Sequence, residues 1–246
     1  MRNKAVFFLF LLLNLTTIAI SQETEQKPEG WNGDLSLGIS LARGNSDNTN
    51  ISFSFNLKRK FTKKMGWENK GLYILGRSAD KIESESYELK STLKWNHSDR
   101  FFTHLEIHGF RDQFKNYDYR ILPQLGLGYS VVQSERTEIS VTTGITGTFT
   151  KYTETGESDY YTGIAAGNHF SWKISPTAEF SQDFNVNADL ARFRNYFTQL
   201  ELSLSAAIAK GWAVKISFID KFDNGAVGKD IKKNDILFIT NLSMKF

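Results

Sequence analysis

Apolar side chains occupy every second position over most of this chain of 246 residues. Between Asp34 and Leu41, leucine and isoleucine alternate with aspartate, serine and glycine, and the final segment DILFITNLSMKF alternates in the same way. Because successive side chains of a β-strand point to opposite faces, this period indicates strands with one apolar and one polar face. The sequence contains about twelve such strands, each of roughly ten or more residues.

The length of the strands and the connections between them favour a membrane barrel over a soluble sandwich. Strands of roughly ten residues can cross the hydrocarbon layer when tilted, whereas soluble domains use shorter ones. Short turns alternate with longer polar loops at residues 43–49, 78–84, 111–118, 153–158, 189–195 and 223–234. We therefore predict an all-β fold, an up-and-down antiparallel transmembrane β-barrel with about 12 strands, with turns at one rim and loops at the other.

The aromatic residues are distributed as two belts. Rings with one polar edge collect where hydrocarbon meets water, so they mark the two membrane boundaries. The interface aromatics predicted for the turn rim are Trp31, Trp67, Trp95, Trp172 and Trp212. The tyrosines expected at the loop rim are Tyr87, Tyr117, Tyr119, Tyr152, Tyr160, Tyr161 and Tyr196.

The N-terminal segment predicts export. Arg2 and Lys4 precede an apolar run, and Ala19 and Ser21 provide small residues before a cleavage site, so residues 1–21 are predicted as a signal peptide. Residues 22–30 are polar and predicted as a disordered periplasmic leader, which leaves residues 31–246 for the barrel. With an even number of strands we expect an outer-membrane protein, monomeric, with both termini in the periplasm.

The last strand is apolar to its end. Leu242, Met244 and Phe246 share one face, and a closed barrel must pair this strand with the first one. The terminal aromatic resembles the sorting signal read by the barrel-assembly machinery, so these three residues are predicted as an assembly signal. The expected partners are that machinery, outer-membrane lipid and lipopolysaccharide. A net charge of +3 indicates no nucleic-acid partner.

Charged residues on the polar faces are expected in the lumen. The early strands supply lysines and the late strands supply carboxylates, which predicts either ion pairs across the interior or a narrow pore with segregated charge. A plugged, purely structural barrel is the alternative. The predicted lumen charges are Lys58, Lys60, Lys70, Lys90, Lys94, Glu179, Asp183 and Glu201, with Asp189 as a further late carboxylate.

No group of residues points to catalysis. His104, Glu106 and His108 share the lumen face of one strand, but one strand rarely supplies a whole metal coordination sphere. No Ser–His pair suited to a lipid-facing hydrolase is present. We expect neither an enzyme nor a bound cofactor or metal.

Two segments resemble a known family. One contains Gly44 and Asn45 in the first loop, and the other runs from Gly109 to Val131. They are similar to the family called domain of unknown function 481, the salt-induced outer membrane protein group. The matching motif residues of the second segment are Asp112, Asp118, Tyr119, Arg120, Gly126 and Gly128.

The resemblance implies an outer-membrane barrel without an established reaction. Its expected role is envelope integrity or passage of small solutes and ions, with a link to salt or osmotic stress suggested by the family name. A surface protein that binds a ligand through its long loops is the alternative, and a lipid-modifying enzyme is a third. Asp112 and Arg120 are expected to pair at the base of the third long loop.

Overall fold

The computed structural model describes residues 30–43, 48–78, 81–112, 116–226 and 231–246. The predicted signal peptide and nearly all of the predicted leader lie outside this range. In the described part of the chain, no helix is long and apolar enough to cross a membrane. The strands are β1 (Asn32–Arg43), β2 (Asn48–Lys60), β3 (Met65–Ser78), β4 (Lys81–Asn96), β5 (Phe101–Asp112), β6 (Tyr117–Gln133), β7 (Thr137–Tyr152), β8 (Ser158–Lys173), β9 (Ala178–Asp189), β10 (Tyr196–Ala209), β11 (Trp212–Asp223) and β12 (Asn234–Lys245).

These strands form one closed antiparallel barrel, which confirms the predicted fold class and strand number. Each strand pairs with the next, and β12 closes the ring against β1. At the seam, Leu35 lies opposite Met244 and Leu37 opposite Leu242. The amide of Gly33 donates to the carbonyl of Phe246 at 3.1 Å, and the reverse bond is also 3.1 Å. Closure satisfies the backbone of the last strand, which would otherwise be an unpaired edge in lipid.

The two rims differ in the length of their connections. The turn rim carries both ends of the barrel and the short connections, such as the turn from Phe61 to Lys64, which is closed by a 2.9 Å bond from the Phe61 amide to the Met65 carbonyl. The loop rim carries the connections that follow the odd-numbered strands. The long loop predicted at residues 78–84 is wrong, because β3 continues to Ser78 and β4 begins at Lys81. Backbone pairing in a hairpin does not require apolar side chains, so polar residues extend these strands.

Apolar side chains cover the outside of the barrel, and small polar ones fill much of the inside. Leu37, Ile51 and Leu125 are each more than 60% exposed, whereas Ser40 and Ser52 are fully buried. This distribution is the reverse of a soluble core, because the outer face contacts hydrocarbon rather than water.

The tryptophans lie at the turn rim, whereas the predicted tyrosine belt is only partly external. Trp31, Trp95, Trp172 and Trp212 are each between 42% and 54% exposed, and Trp67 is half-buried beside them. Tyr119 and Tyr160 face outward. Three tyrosines predicted for the belt face the lumen: Tyr117, Tyr152 and Tyr161.

Two physical causes explain the inward positions of Tyr117 and Tyr161. A bulge between Tyr117 and Tyr119 shifts the pairing of β6, so two residues with the same sequence parity reach opposite faces. Tyr160 and Tyr161 are adjacent in an extended strand, so only one of them can face lipid.

Candidate functional site

The lumen is the candidate functional site because charged side chains from many strands meet there. A cavity of about 290 Å³ occupies it. Its walls are polar, and several carboxylates and lysines face one another there. The charged residues that line it include Lys58, Lys70, Lys90, Glu106, Asp183 and Glu201.

An ion pair crosses the middle of this lumen. The ammonium of Lys70 on β3 lies 3.6 Å from the carboxylate of Asp183 on β9, and these strands are opposite one another in the ring of twelve. His169 Nδ1 lies 2.8 Å from the other oxygen of Asp183. We call this group the central bridge. Two side chains from opposite walls therefore meet inside the lumen.

Neighbouring strands supply further ion pairs around the central bridge. Lys58 lies 3.2 Å from Glu68, and Lys90 lies 3.1 Å from Glu106. Lys215 on β11 lies 3.6 Å from Glu201 on β10. The predicted segregation of lysines and carboxylates is therefore wrong. Early strands also carry inward carboxylates, Glu68, Glu88 and Glu106, and late strands carry inward lysines, Lys215 and Lys221.

A second bridge lies closer to the loop rim, around the carboxylate of Glu88 on β4. His108 Nε2 lies 2.9 Å from Glu88 Oε1, and Gln199 Nε2 on the opposite strand β10 donates to the same oxygen at 3.0 Å. The ammonium of Lys221 on β11 donates to the other oxygen of Glu88. These four residues join two opposite parts of the wall, β4–β5 and β10–β11, so the second bridge also spans the lumen.

A third group closes the lumen at the loop rim. Arg120 Nη1 on β6 lies 2.5 Å from Asp223 Oδ2 on β11, five strands away around the ring. The hydroxyl of Tyr117 donates to the same oxygen at 2.6 Å, and Arg120 Nε donates to Thr150 at 2.9 Å. The side chains of Arg120 and Asp223 are only 4% and 2% exposed. A buried charge pair of this kind is stable only when its remaining polar atoms are satisfied, as they are here.

Aromatic and aliphatic side chains complete this closure. Phe110 on β5 stacks on Phe197 on β10 with ring centroids 5.8 Å apart, and both rings are buried. The Arg120 guanidinium lies 4.0 Å from the centroid of the Tyr117 ring. We define the loop-rim plug as Phe110, Tyr117, Arg120, Leu122, Phe197 and Asp223, all of them at most 9% exposed.

Of the family-like residues, the structure places Arg120 in this plug. Arg120 pairs with Asp223 rather than with Asp112 as expected, because it points across the lumen instead of along the loop base. Asp118 lies 3.9 Å from Arg111. Tyr119 faces outward, and Gly44 and Asn45 lie outside the described residues. Sequence reasoning missed Asp223, although its inward parity with Lys215 and Lys221 on β11 was a usable signal.

Of the remaining predicted lumen residues, Lys60, Lys94 and Glu179 lie nearer the turn rim. The ammonium of Lys94 lies 3.8 Å from the centroid of the Phe102 ring, and Glu179 accepts a hydrogen bond from Ser171 at 2.9 Å. Lys60 is the last residue of β2 at that rim, whereas Asp189 ends β9 at the loop rim.

The histidines and Glu106 on β5 are engaged with other protein groups. His104 Nε2 lies 3.0 Å from Gln124 Nε2, His108 belongs to the second bridge, and Glu106 accepts from Thr92 at 3.1 Å. Within the described residues, no set of three or more His, Cys, Asp or Glu side chains is arranged to hold a metal ion.

The predicted assembly-signal residues face outward, Leu242 and Met244 on β12 and Phe246 directly after it. Leu242, Met244 and Phe246 are 46%, 41% and 54% exposed, whereas Ser243 between them is buried in the lumen. Their apolar side chains therefore continue the lipid-facing surface to the last residue of the barrel.

The closed ring, the apolar outer face and the charged lumen define an outer-membrane β-barrel protein. A family model matches residues 35–246, so the chain belongs to the family described as Protein of unknown function, DUF481. A search of curated proteins finds no match to the sequence.

Solved structures with the same architecture are distant in sequence. The NanC porin is 9% identical with a TM-score of 0.56, over 86% of this chain and 100% of its own. The COG4313 outer membrane channel from Pseudomonas putida F1 is 10% identical with a TM-score of 0.51, over 94% and 100%. The translocator domain of the autotransporter NalP from Neisseria meningitidis is 12% identical with a TM-score of 0.51, over 90% of both chains. These similarities show the fold alone.

Proposed function

We propose that this protein is an outer-membrane channel for ions and small polar solutes, closed at rest by the loop-rim plug. The proposal rests on the polar cavity of about 290 Å³, which ends at a closure made of side chains. A barrel of eight strands is filled by side chains and one of sixteen leaves an open channel. A twelve-stranded barrel lies between these limits, so repositioning a few side chains is enough to open a path. The similarity to a porin and an outer membrane channel is compatible with this role.

The plug is connected to the last long loop through Asp223. The Oδ1 atom of Asp223 accepts from the amide of Gly225 at 2.9 Å, while its own amide donates to the carbonyl of Lys233 at 2.8 Å. A displacement of this loop would draw Asp223 away from Arg120 and Tyr117. Because separating a buried ion pair is costly, we expect the closed arrangement to dominate until the loop is displaced.

Planar bilayer recording tests this proposal. We expect wild-type protein to give rare, small conductance steps. Asp223→Ala removes the shared acceptor of the plug, so we expect it to raise open probability several-fold. Asp118→Ala is the matched control, because it removes a carboxylate at the same rim that lies outside the plug.

The outcomes of the recording are distinct. If folded wild-type and Asp223→Ala proteins both pass no current, the channel proposal fails. If wild type conducts as freely as Asp223→Ala, the protein is a channel but the plug is not its barrier.

The link to salt or osmotic stress follows from the family resemblance and belongs to the same proposal. Survival of a deletion strain in high salt, complemented with wild type or Asp223→Ala, tests it. Equal survival with and without the gene would contradict the stress role. The alternative function is a surface protein that binds a ligand through its long loops. In that case ligand binding would leave the recorded current unchanged.

A further inference from the structure

We propose a binding site for the phosphodiester group of a phospholipid on the outer face of the barrel at the turn rim, centred on Arg59. Arg59 is the penultimate residue of β2, and its parity places it on the lipid-facing side with Leu57. Its guanidinium lies 5.6 Å from the centroid of the Trp31 ring and 5.5 Å from that of Phe61. A permanent cation is therefore held in the aromatic belt that marks the boundary of the hydrocarbon.

The guanidinium of Arg59 lacks a protein acceptor at its Nε atom. In the part of the chain that the structure describes, this Nε is buried and makes no hydrogen bond. Leaving a buried donor unpaired is costly, whereas the planar fork of arginine matches two phosphate oxygens. The outer face contacts lipid and the Arg59 side chain is only half-buried, so a small rotation would bring its guanidinium to a lipid headgroup and pair the Nε donor.

The aromatic side chains give the site a fixed shape. Trp31 and Trp67 have ring centroids 5.7 Å apart, and Phe61 stacks on Trp67 at 6.2 Å with an interplanar angle of 21°. Arg59 also lies directly opposite Trp67 across the β2–β3 pair. The rings therefore surround Arg59 and offer an apolar surface to the first carbons of the acyl chains, below the phosphate.

The adjoining turn adds positive charge. Lys63 and Lys64 are exposed, and no acidic residue occurs from Lys58 to Lys64. We therefore expect phosphatidylglycerol, with its net negative headgroup, to bind more tightly than phosphatidylethanolamine. Diacylglycerol has the same tails without phosphate and should not bind at this site.

Native mass spectrometry of the detergent-purified barrel tests the site, with each of the three lipids added at equal concentration. We expect one retained phosphatidylglycerol, and Arg59→Gln should reduce its affinity about tenfold, as the loss of one charge-assisted contact predicts. Arg59→Lys should restore only part of the affinity, because a point charge cannot form the bidentate pair. Arg100→Gln is the matched control, since Arg100 lies at the same rim and donates to the Tyr129 hydroxyl at 3.4 Å.

Folding of each variant is verified by the heat-dependent shift of the barrel on unboiled gels. Equal retention of diacylglycerol would show that the rings bind acyl chains without phosphate recognition. If Arg100→Gln weakened binding as much as Arg59→Gln, the lipid would be responding to the general positive charge of the rim and not to a site at Arg59. Either result would overturn the proposal.

Discussion

At the scale of single residues, two glycines illustrate how the lumen is packed. A Cβ atom at Gly128 would lie 2.1 Å from the ring of Phe102, and one at Gly126 would lie 2.4 Å from the ring of His104. Neither glycine has a positive φ angle, so the need is for space rather than for backbone freedom. The Gly-x-Gly element of the family-like motif therefore makes room for large side chains on the facing strand.

We predict that Gly128→Ala destabilises the folded barrel by about 1–3 kcal/mol, because the aromatic ring beside it must move. Gly109→Ala on the neighbouring strand is the control, since a Cβ there meets nothing within 4 Å. Alanine costs less backbone entropy than glycine, so the control should be neutral or slightly stabilising. Urea unfolding in lipid vesicles measures both. Equal destabilisation by the two variants would contradict the packing role of Gly128.

At the scale of one element, the last strand combines closure of the barrel with an apolar terminus. Its register fixes Lys245 in the lumen opposite Asp34 and leaves Phe246 on the outer face, 54% exposed. The backbone bonds between Gly33 and Phe246 are independent of the terminal side chain. The effects of side chain and backbone at this end can therefore be separated by mutation.

We predict that Phe246→Ser slows or blocks insertion of the barrel, whereas Lys245→Ser has a smaller effect. The ring contributes on the order of 2 kcal/mol by burial in lipid. We also propose that the assembly machinery reads it, so the loss of rate should exceed the loss of stability. The measurement is the heat-shifted, protease-protected fraction at equal expression. If both variants assemble alike, Phe246 is only one more residue of the aromatic belt.

At the scale of the whole molecule, three groups of side chains connect opposite walls at successive heights: the central bridge, the second bridge and the loop-rim plug. Among the described residues, the plug is tied to the last long loop through Asp223. We propose that the loop rim faces the exterior and that both chain ends lie in the periplasm, since a signal peptide would deliver the chain from that side.

Epitope insertion tests this orientation. Tags within residues 153–158 or 223–234 should be reached by antibody on intact cells, because these are loop-rim connections. A tag in the turn after Gln133 should become accessible only after the outer membrane is permeabilised. The opposite labelling pattern would reverse the proposed orientation and place the plug at the periplasmic side.

The sequence by itself determined the barrel. Alternation with period two, strand length and the position of the tryptophans are local properties, and each can be read from a segment without knowledge of its partners. The same parity predicts that Lys70 and Asp183 face the lumen and that Phe246 faces outward.

Only the tertiary structure decided which inward residues meet. Arg120 and Asp223 are separated by 103 positions, and their contact depends on the register of every strand pair between them. The bulge near Tyr117 changes that register and reverses one side chain, which a strict alternation cannot anticipate. Parity assigns a residue to a face of its own strand, but its height and its partner across the lumen result from shear accumulated around the closed ring.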